Sequence, residues 1–513
     1  MAIAVETPRE VVVNPANVSA VSQASVHRTP SIRLAIWLFA AFQFFYMLTS
    51  SGRVRTADEY NTLYTTQSLV LRGSTSVPQA VQLHNFYGRF DSFGRPQAAY
   101  PPGQALLSTP WYAIGQYVVS RLPGVPTSAL DFVVGFSTCL SSATFSALAV
   151  ALFFLLLTRI EVSPHASLFA TVVLGLATPI FAYSAWFFSE PLSAAIFLAV
   201  ALILFWQPGK PIALGNAAVA GLILGLAAWV RPTNAVAIVV FAAAILVRDG
   251  KPAMRAIGVL VAASAVGVVA LLSRNSRLFG SAFEFGYPDP VPGTGIDNSF
   301  DTPLLTGLYG LLLSPGKSVF LFAPPVILAL AGLRRLWKVE RGVAATAILL
   351  PLVYLVLFAQ YAHWEGGYCV GPRYLVPAIP MLCLALGTIL DSGGHRMKTA
   401  AVATFVLGAA VQCLSMATSF LEDQAPARGH YYDPHWSYRM SYSLSGPVQL
   451  FLKYLSSGQP AKLGLGWDRW FVFLHNGGVS AATLVTLAAL MVLGLAVSLT
   501  ALTKILRTAL QTS

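Results

Sequence analysis

The sequence predicts an all-α polytopic membrane protein, a bundle of about twelve transmembrane helices. Hydrophobic residues make up 56% of the 513 residues, whereas Asp, Glu, Lys and Arg together make up only 10%. A soluble domain carries about 25% charged residues. The mean hydropathy is +0.66, and apolar runs of membrane-spanning length recur along almost the whole chain. These observations exclude a set of ordinary soluble domains.

The predicted spans are separated by short polar or proline-containing breaks. The shortest breaks are Ser189-Glu190-Pro191 and Arg231-Pro232. Proline suits the first turn of a helix, so both breaks predict tight turns between antiparallel helices, with a kinked single helix as the alternative. The predicted spans are 33–50, 131–158, 166–184, 190–206, 213–230, 233–247, 256–273, 317–333, 343–361, 371–390, 399–418 and 479–503.

Lys and Arg are concentrated in alternate short loops, which the positive-inside rule places in the cytoplasm. The alternation runs through every predicted span and puts both termini in the cytoplasm. The Gly-, Ala- and Val-rich spans suit a bacterial inner membrane. The basic residues of these loops are Arg159, Lys210, Arg248, Lys251, Arg255, Arg334, Arg335, Lys338, Arg341, Arg396, Lys398, Lys504 and Arg507.

An acidic pair, Asp58 and Glu59, follows the first span at the start of the outer segment 51–130. Residues 60–72 form an amphipathic stretch that predicts an interfacial helix, and two or three such short helices are expected in this segment. Two interpretations of the pair remain open. Either it is an acidic cap at the positive end of that helix, or it contains a general base at the mouth of a cavity.

Further polar residues lie at the outer edges of the spans. Tyr100 and Pro101 open a stiff Tyr-Pro-Pro-Gly stretch before an apolar run. Glu190 begins the fourth span and Arg231 ends the fifth. Each of these two charges matches the helix dipole at its position, so a capping role and a substrate-binding role are about equally favoured.

Two cations begin spans on the outer side, Lys317 in Ser-Pro-Gly-Lys and Arg373 before Tyr374. A cation at a helix N-terminus opposes the helix dipole, which favours a functional role. Arginine binds phosphate with two donors and lysine binds it as a point charge. His363 precedes Arg373 in a glycine-rich stretch whose small residues let an anion approach closely.

Several classes of site are missing from the sequence. It has no Walker A motif, no zinc-binding His-Glu-x-x-His and no Ser-His-Asp pattern. The four cysteines match neither a disulfide framework nor a zinc site. Any chemistry must therefore come from residues at the membrane edges, and no nucleic-acid partner is predicted.

These motifs together resemble the GT-C superfamily of glycosyltransferases. The acidic pair, Tyr-Pro-Pro-Gly, Ser-Glu-Pro-Leu and Arg-Pro occur in the same order as in that superfamily. The most similar branch contains the protein O-mannosyltransferases and the aminoarabinose transferases of lipid A. Ser-Pro-Gly-Lys and Trp-Glu-Gly-Gly with Gly-Pro-Arg-Tyr resemble segments of bacterial members. The resemblance covers about residues 33–390.

The resemblance implies transfer of a sugar, with inversion, from a polyprenyl-phosphate-linked donor to a glycan, lipid or protein acceptor at the outer face of the bilayer. Asp58 matches the family's catalytic acid and is the expected general base, and Glu59 is expected to hold substrate or an ion. A divalent cation such as Mg²⁺ or Mn²⁺ on these two carboxylates, or no metal, is consistent with the family. The expected substrate-binding residues are Tyr100, Pro101, Glu190, Arg231, Lys317, His363, Arg373 and Tyr374.

The predicted organisation is a disordered cytoplasmic tail (1–31), a GT-C-like transmembrane catalytic module (32–418), an outer segment (419–478), and a last span with its tail (479–513). The large soluble C-terminal domain of some relatives has no counterpart. Two alternatives stay open, a transporter or flippase of lipid-linked sugars and a polymerase or ligase of surface glycans. The latter is suggested by Arg428, His430, His435 and Arg439, while Tyr431, Tyr432, Asp433, His435 and Trp436 are candidates to line the acceptor side.

Overall fold

The computed structural model describes residues 15–121, 129–289, 298–417 and 469–511. Their fold is almost entirely helical, which confirms the predicted class. The α-helices are α1 (Pro15–Thr49), α2 (Ala57–Arg72), α3 (Pro78–Gln82), α4 (Gly103–Arg121), α5 (Leu130–Arg159), α6 (Pro164–Ala177), α7 (Pro179–Ser184), α8 (Glu190–Leu204), α9 (Leu214–Val230), α10 (Val236–Asp249), α11 (Met254–Phe279), α12 (Leu304–Leu313), α13 (Val319–Phe322), α14 (Pro325–Val339), α15 (Arg341–Ala359), α16 (Ile379–Ser392), α17 (His395–Ala417), α18 (Trp470–Asn476) and α19 (Ala481–Gln511).

The chain is a multi-pass membrane protein. Seven stretches of described helix are long and apolar enough to cross a membrane: Ile32–Thr49, Leu130–Arg159, Pro232–Asp249, Lys251–Phe279, Arg341–Ala359, His395–Ala417 and Ala481–Thr508. Of the other five predicted spans, 190–206 and 213–230 match α8 and α9. The span 166–184 is divided between α6 and α7, 317–333 overlaps α13 and the start of α14, and 371–390 overlaps α16. Both proline-containing breaks are helix ends, because α7 stops before Glu190 and α9 stops before Arg231.

The N-terminal part of α1 differs from the sequence prediction. A disordered tail was expected over 1–31, but the backbone of residues 15–31 continues α1 as helix. The apolar first span provides a helical template onto which these residues extend, since adding residues to an existing helix avoids the cost of nucleation.

The first outer segment contains the expected helices, α2, α3 and α4, and also a hairpin that the sequence did not predict. Strand β1 (Gly88–Phe90) pairs antiparallel with β2 (Pro96–Ala98). Strands of three residues are too short to show an alternating pattern. Arg89 of the hairpin forms ion pairs with Glu284 and Asp289. These ion pairs tie the first outer segment to the second outer segment, residues 274–316.

Four of the predicted basic loops meet at one end of the bundle. The Arg248 side chain donates to the backbone carbonyls of Gln207 and Lys210 and forms an ion pair with Glu340 at 2.9 Å. Arg159 lies over the Trp206 ring, 3.7 Å from its centroid. Glu190 and Arg231 lie at the other ends of α8 and α9. The bundle therefore has a basic end and an opposite end that carries the candidate site residues.

Helices α9 and α11 cross at glycines. A Cβ atom on Gly267 would lie only 2.5 Å from the backbone carbon of Gly225. The Trp229 indole N–H donates to the Gly267 carbonyl at 2.9 Å. Small residues allow such close backbone approach between membrane helices. This crossing fixes the position of the α9 C-terminus, where Arg231 lies.

We expect Gly267→Ala to lower the free energy of unfolding by about 1–3 kcal/mol, because the added methyl group overpacks this crossing. The matched control is Gly258→Ala in the same helix, where a Cβ atom meets nothing within 4 Å. Thermal unfolding of both variants in detergent compares them directly. Equal midpoints for the two would contradict the close crossing.

Candidate active site at the opposite end from the basic loops

Four charged side chains form one connected network. The carboxylate of Glu190 accepts from Arg373 Nε at 2.8 Å, and its Oε1 atom also pairs with Arg231. Arg373 Nη1 donates to Asp58 Oδ2 at 2.8 Å. Glu190 is 0%, Arg373 7% and Arg231 9% exposed. Two guanidinium groups and two carboxylates therefore cancel in charge within a largely buried cluster.

Local structure places each member of this network. Asp58 lies in the first turn of α2 and Glu190 begins α8, where the positive ends of the helix dipoles favour carboxylates. Arg231 caps the C-terminus of α9, where a cation is favoured. Arg373 lies in a short 3-10 turn, Arg373–Leu375, before α16. The carboxylates of Asp58 and Glu190 compensate the charge of this arginine, which precedes α16 and does not lie in its first turn.

The loop that carries Arg373 requires glycine. Gly366 has a φ of +83°, and a Cβ atom there would lie 2.9 Å from both Arg373 Cβ and Cys369 Sγ. The Gly366 carbonyl also accepts from Arg373 Nη1 at 3.3 Å. The arginine side chain therefore packs directly on the loop backbone, and its opposite face lies over the Phe188 ring at 4.1 Å.

The network borders a cavity of about 710 Å³. Asp58, Tyr100 and Arg373 also border a small recess of about 20 Å³, enough for roughly one water molecule. Pro101 lines only that recess. The large cavity is lined by Arg55, Thr56, Ala57, Asp58, Asn85, Tyr87, Tyr100, Arg231, Pro232, Thr233, Phe283, Glu284, Phe285, Tyr287, Asn298, Phe300, Phe358, Tyr361, His363, Gly366, Gly367, Tyr368, Arg373 and Tyr374.

The structure separates the two adjacent carboxylates of the acidic pair. Asp58 lines the cavity and its side chain is 22% exposed. Glu59 is fully buried and completes a capping box with Thr56. Its carboxylate also accepts from the backbone N–H groups of Arg55 at 2.8 Å and Phe187 at 3.0 Å. The capping interpretation therefore describes Glu59, whereas Asp58 has the placement expected of a site residue.

The separation of Asp58 from Glu59 affects whether the two carboxylates can bind one divalent cation together. Glu59 is engaged through both oxygens by N–H donors, while Asp58 pairs with Arg373, so the two carboxylates do not converge on one point. In the described ranges, no group of three or more His, Cys, Asp and Glu side chains is placed to hold a metal ion. A divalent cation held by Asp58 and Glu59 together, one of the two alternatives that the resemblance left open, does not fit this geometry.

Lys317 does not line the cavity, contrary to expectation. Its side chain is fully buried, and Nζ donates to the Cys369 carbonyl at 2.8 Å and lies 3.5 Å from the Gly367 carbonyl. The sequence could not show that a cation beginning a span turns beneath the following loop instead of toward an anion. Lys317 here supports the glycine-rich loop that carries Arg373.

Aromatic side chains build the remaining walls. Tyr374 stacks on Phe358 with ring centroids 4.2 Å apart, and Arg231 lies 5.1 Å from the Tyr374 centroid. Tyr100 contacts Tyr287 edge to face at 5.6 Å. Burial raises the pKa of the Tyr100 phenol well above its usual range, and the charge of Asp58 raises that pKa further. Tyr100 is therefore a hydrogen-bond donor across the physiological pH range.

Sequence reasoning missed several residues that border the cavity. Tyr287 and Asn298 come from the second outer segment, which carries no motif. Arg55 precedes the acidic pair and was passed over. A further missed residue, Glu365 within Trp-Glu-Gly-Gly, lies behind the cavity wall, buried beside His363, with Oε1 3.4 Å from His363 Nδ1. The residues of the cavity are far apart along the chain, and of the missed residues only Glu365 lay within a motif.

Comparisons with known proteins give limited matches. No family model matches the sequence, and no curated protein matches it. A solved structure of ArnT from Cupriavidus metallidurans bound to undecaprenyl phosphate aligns with a TM-score of 0.47 at 14% identity, covering 86% of this chain and 84% of that one. The apo state of ArnT from the same organism aligns with a TM-score of 0.46 at 13% identity, covering 90% and 85%.

We expect Glu190→Gln to destabilise the protein by about 3–5 kcal/mol, because it leaves two buried guanidinium groups without their shared carboxylate. Thermal unfolding in detergent measures the loss. Glu161→Gln, an exposed glutamate, is the control. Adding Arg231→Gln to Glu190→Gln should recover part of the loss, since it removes one unpaired charge. Additive losses in the double variant would contradict the shared ion pair.

We expect Lys317→Met to lower stability by about 1.5–3 kcal/mol, the usual contribution of a hydrogen bond that involves a charged group. Affinity for a polyprenyl phosphate lipid should be nearly unchanged in the folded variant. Unfolding midpoints and lipid binding, measured on the same preparation, separate these effects. Full stability with weakened lipid binding would restore the phosphate-binding role that the sequence suggested.

Proposed function

We propose that this protein is a membrane glycosyltransferase of the GT-C type, which transfers a sugar from a polyprenyl-phosphate-linked donor to an acceptor at the extracytoplasmic face. One observation carries the proposal. A carboxylate, Asp58, and two arginines, Arg231 and Arg373, border one cavity at the end of the bundle opposite the basic loops. A base beside fixed cations is what transfer from a phosphate-linked sugar requires.

The proposed reaction is a single displacement with inversion. The acceptor oxygen or nitrogen attacks the anomeric carbon, while the bond from that carbon to the phosphate oxygen breaks and its electron pair remains on the phosphate. Asp58 takes the proton of the acceptor. Arg373 and Arg231 stabilise the charge that develops on the leaving polyprenyl phosphate. No metal-dependent step is needed for this balance.

The ion pair between Asp58 and Arg373 couples the two roles. In the absence of donor, Arg373 donates to the Asp58 carboxylate at 2.8 Å. A phosphate that binds Arg373 competes with Asp58 for the same donors. Binding of the donor phosphate and release of the Asp58 carboxylate toward the acceptor are therefore linked.

The side chains that line the cavity suit a sugar bound between the two arginines and the second outer segment. Tyr100 and Tyr287 offer aromatic faces, and Asn298 and Thr233 offer polar groups. Ligand sites of this kind combine mainly apolar walls with a few placed polar groups. An outward-facing site with both termini in the cytoplasm follows from the positive-inside rule.

A transporter or flippase of lipid-linked sugars is the first alternative. The charged cavity residues lie at helix ends, whereas transporters place coupling residues near the bilayer midplane. A polymerase or ligase of surface glycans is the second alternative. Its candidate residues, Arg428, His430, His435 and Arg439, lie outside the described residues, as do the acceptor-side candidates Tyr431, Tyr432, Asp433 and Trp436.

We expect Asp58→Asn to reduce sugar transfer by about 10²–10⁴-fold, because it removes the proposed general base. The measurement uses purified protein in lipid with a mixture of radiolabelled polyprenyl-phosphate-sugars, and it follows label released to an acceptor or to water. Asp391→Asn, an exposed aspartate at the end of α16, is the control and should transfer at the wild-type rate.

The outcomes separate the candidate functions. Wild-type transfer that Asp58→Asn retains would refute the assigned base. Movement of intact donor across vesicle membranes, without transfer, would favour the flippase. Transfer that survives Asp58→Asn but is lost in Arg428→Ala and His435→Ala would favour the polymerase or ligase.

A further inference from the structure

Glu365 is a buried carboxylate in an unusual environment. The residue is 1% exposed, and neither carboxylate oxygen has a hydrogen-bond partner among the described residues. Burying a carboxylate without a partner is costly, so the surrounding structure must supply a compensating proton or cation. The mechanism proposed above makes no use of this side chain.

His363 is the basic side chain that the structure places against Glu365. Its Nδ1 atom lies 3.4 Å from Glu365 Oε1, in the range of an ion pair if the imidazole is protonated. The His363 side chain is 24% exposed and lines the cavity, whereas Glu365 lies behind it and does not. The Tyr361 ring packs edge to face against the imidazole at 5.9 Å. These contacts hold the ring between a buried negative charge and the cavity.

Two other cations of the cavity wall show a similar pattern. Arg231 and Arg373 border the cavity and share the carboxylate of Glu190, which is fully buried and lies outside the lining. Arg373 pairs in addition with Asp58, which lines the cavity. A His363 imidazolium backed by Glu365 would be a third cation supported by a buried carboxylate from behind the wall.

We propose that His363 binds the substrate as an imidazolium, held in that form by Glu365, and that it contributes a pH-dependent contact to the anionic phosphodiester of the donor. The inference rests on the proposed function for the identity of the anion. His363 is then a binding residue for the donor phosphate, and Glu365 is a positioning residue that acts through it. Nε2, the ring nitrogen on the side away from Glu365, supplies the donated hydrogen bond.

Other charged and titratable groups border the same cavity and set the background for this titration. Of the side-chain types that border the cavity, only histidine ordinarily titrates between pH 5 and 8. The groups are Arg55 and Asp58 beside α2, Tyr87 and Tyr100 in the first outer segment, Arg231 after α9, Glu284 and Tyr287 in the second outer segment, and Tyr361, Tyr368, Arg373 and Tyr374 near His363. Substitution of His363 therefore tests whether a change in anion affinity between pH 5 and 8 comes from this residue.

The test measures binding, so that it does not depend on turnover. The probe is a polyprenyl methyl phosphate, a diester whose single negative charge does not change between pH 5 and 8. Its affinity for the purified protein in lipid nanodiscs is measured across that range, with the uncharged polyprenol as the reference for the lipid tail. We expect wild-type affinity for the diester to fall by about ten-fold as pH rises, the effect of losing one charged hydrogen bond.

Four variants make the assignment specific. His363→Gln should bind weakly at all pH values and show no pH-dependent decline, while His363→Lys should keep its affinity to higher pH. Glu365→Gln should move the midpoint of the decline to lower pH, because the imidazolium loses its negative partner. His395→Gln, an exposed histidine at the other end of the bundle, should behave as wild type.

Each result decides the inference. A decline that persists in folded His363→Gln, or a midpoint unchanged in Glu365→Gln, overturns it. Affinity that rises with pH through His363 also overturns it and makes the residue a base instead. If the wild type binds the diester with the expected pH dependence but transfers no sugar, the proposed function fails while the anion site stands. If it transfers sugar without that dependence, the inference alone fails.

Discussion

The buried carboxylate of Glu190 is the interaction on which the rest of the site depends. It is fully inaccessible and contacts both Arg231 and Arg373. Breaking a buried ion pair leaves an uncompensated charge, so each partner must stay in place. Through Glu190, the start of α8, the end of α9 and the loop before α16 are held together. Arg373 then extends this constraint to Asp58 at the start of α2.

This arrangement explains how a protein with so few charges keeps several at one cavity. Isolated charges are expensive near hydrocarbon. Carboxylates placed behind the cations allow the cations to be largely buried and still face the cavity. The backing carboxylates, Glu59 and Glu190, are fully buried, whereas Asp58 is partly exposed. Asp58 is thus the carboxylate of the network with access to the cavity.

The helix framework gives these charges their rigidity. Close packing of α9 on α11 at Gly225 and Gly267 sets the position of the α9 C-terminus. The capping box of Glu59 with Thr56 fixes the first turn of α2, and Glu59 also accepts from the Phe187 backbone just before α8. One helix turn therefore contains a structural carboxylate and a cavity-lining carboxylate side by side. Adjacent residues in a helix point in different directions, so their environments differ although their sequence context is shared.

The sequence by itself determined the membrane class, the helix ends at Glu190 and Arg231, and the candidate status of Asp58 and Arg373. These follow from hydropathy, proline chemistry and dipole sign, which are local properties. Tertiary structure alone decided that Asp58 pairs with Arg373 across 315 positions and that Lys317 turns beneath a loop. It also decided that Arg89 of the hairpin pairs with Glu284 and Asp289, and that Tyr287 lines the cavity. Such contacts depend on which helix ends packing brings together, and no local pattern along the chain contains that information.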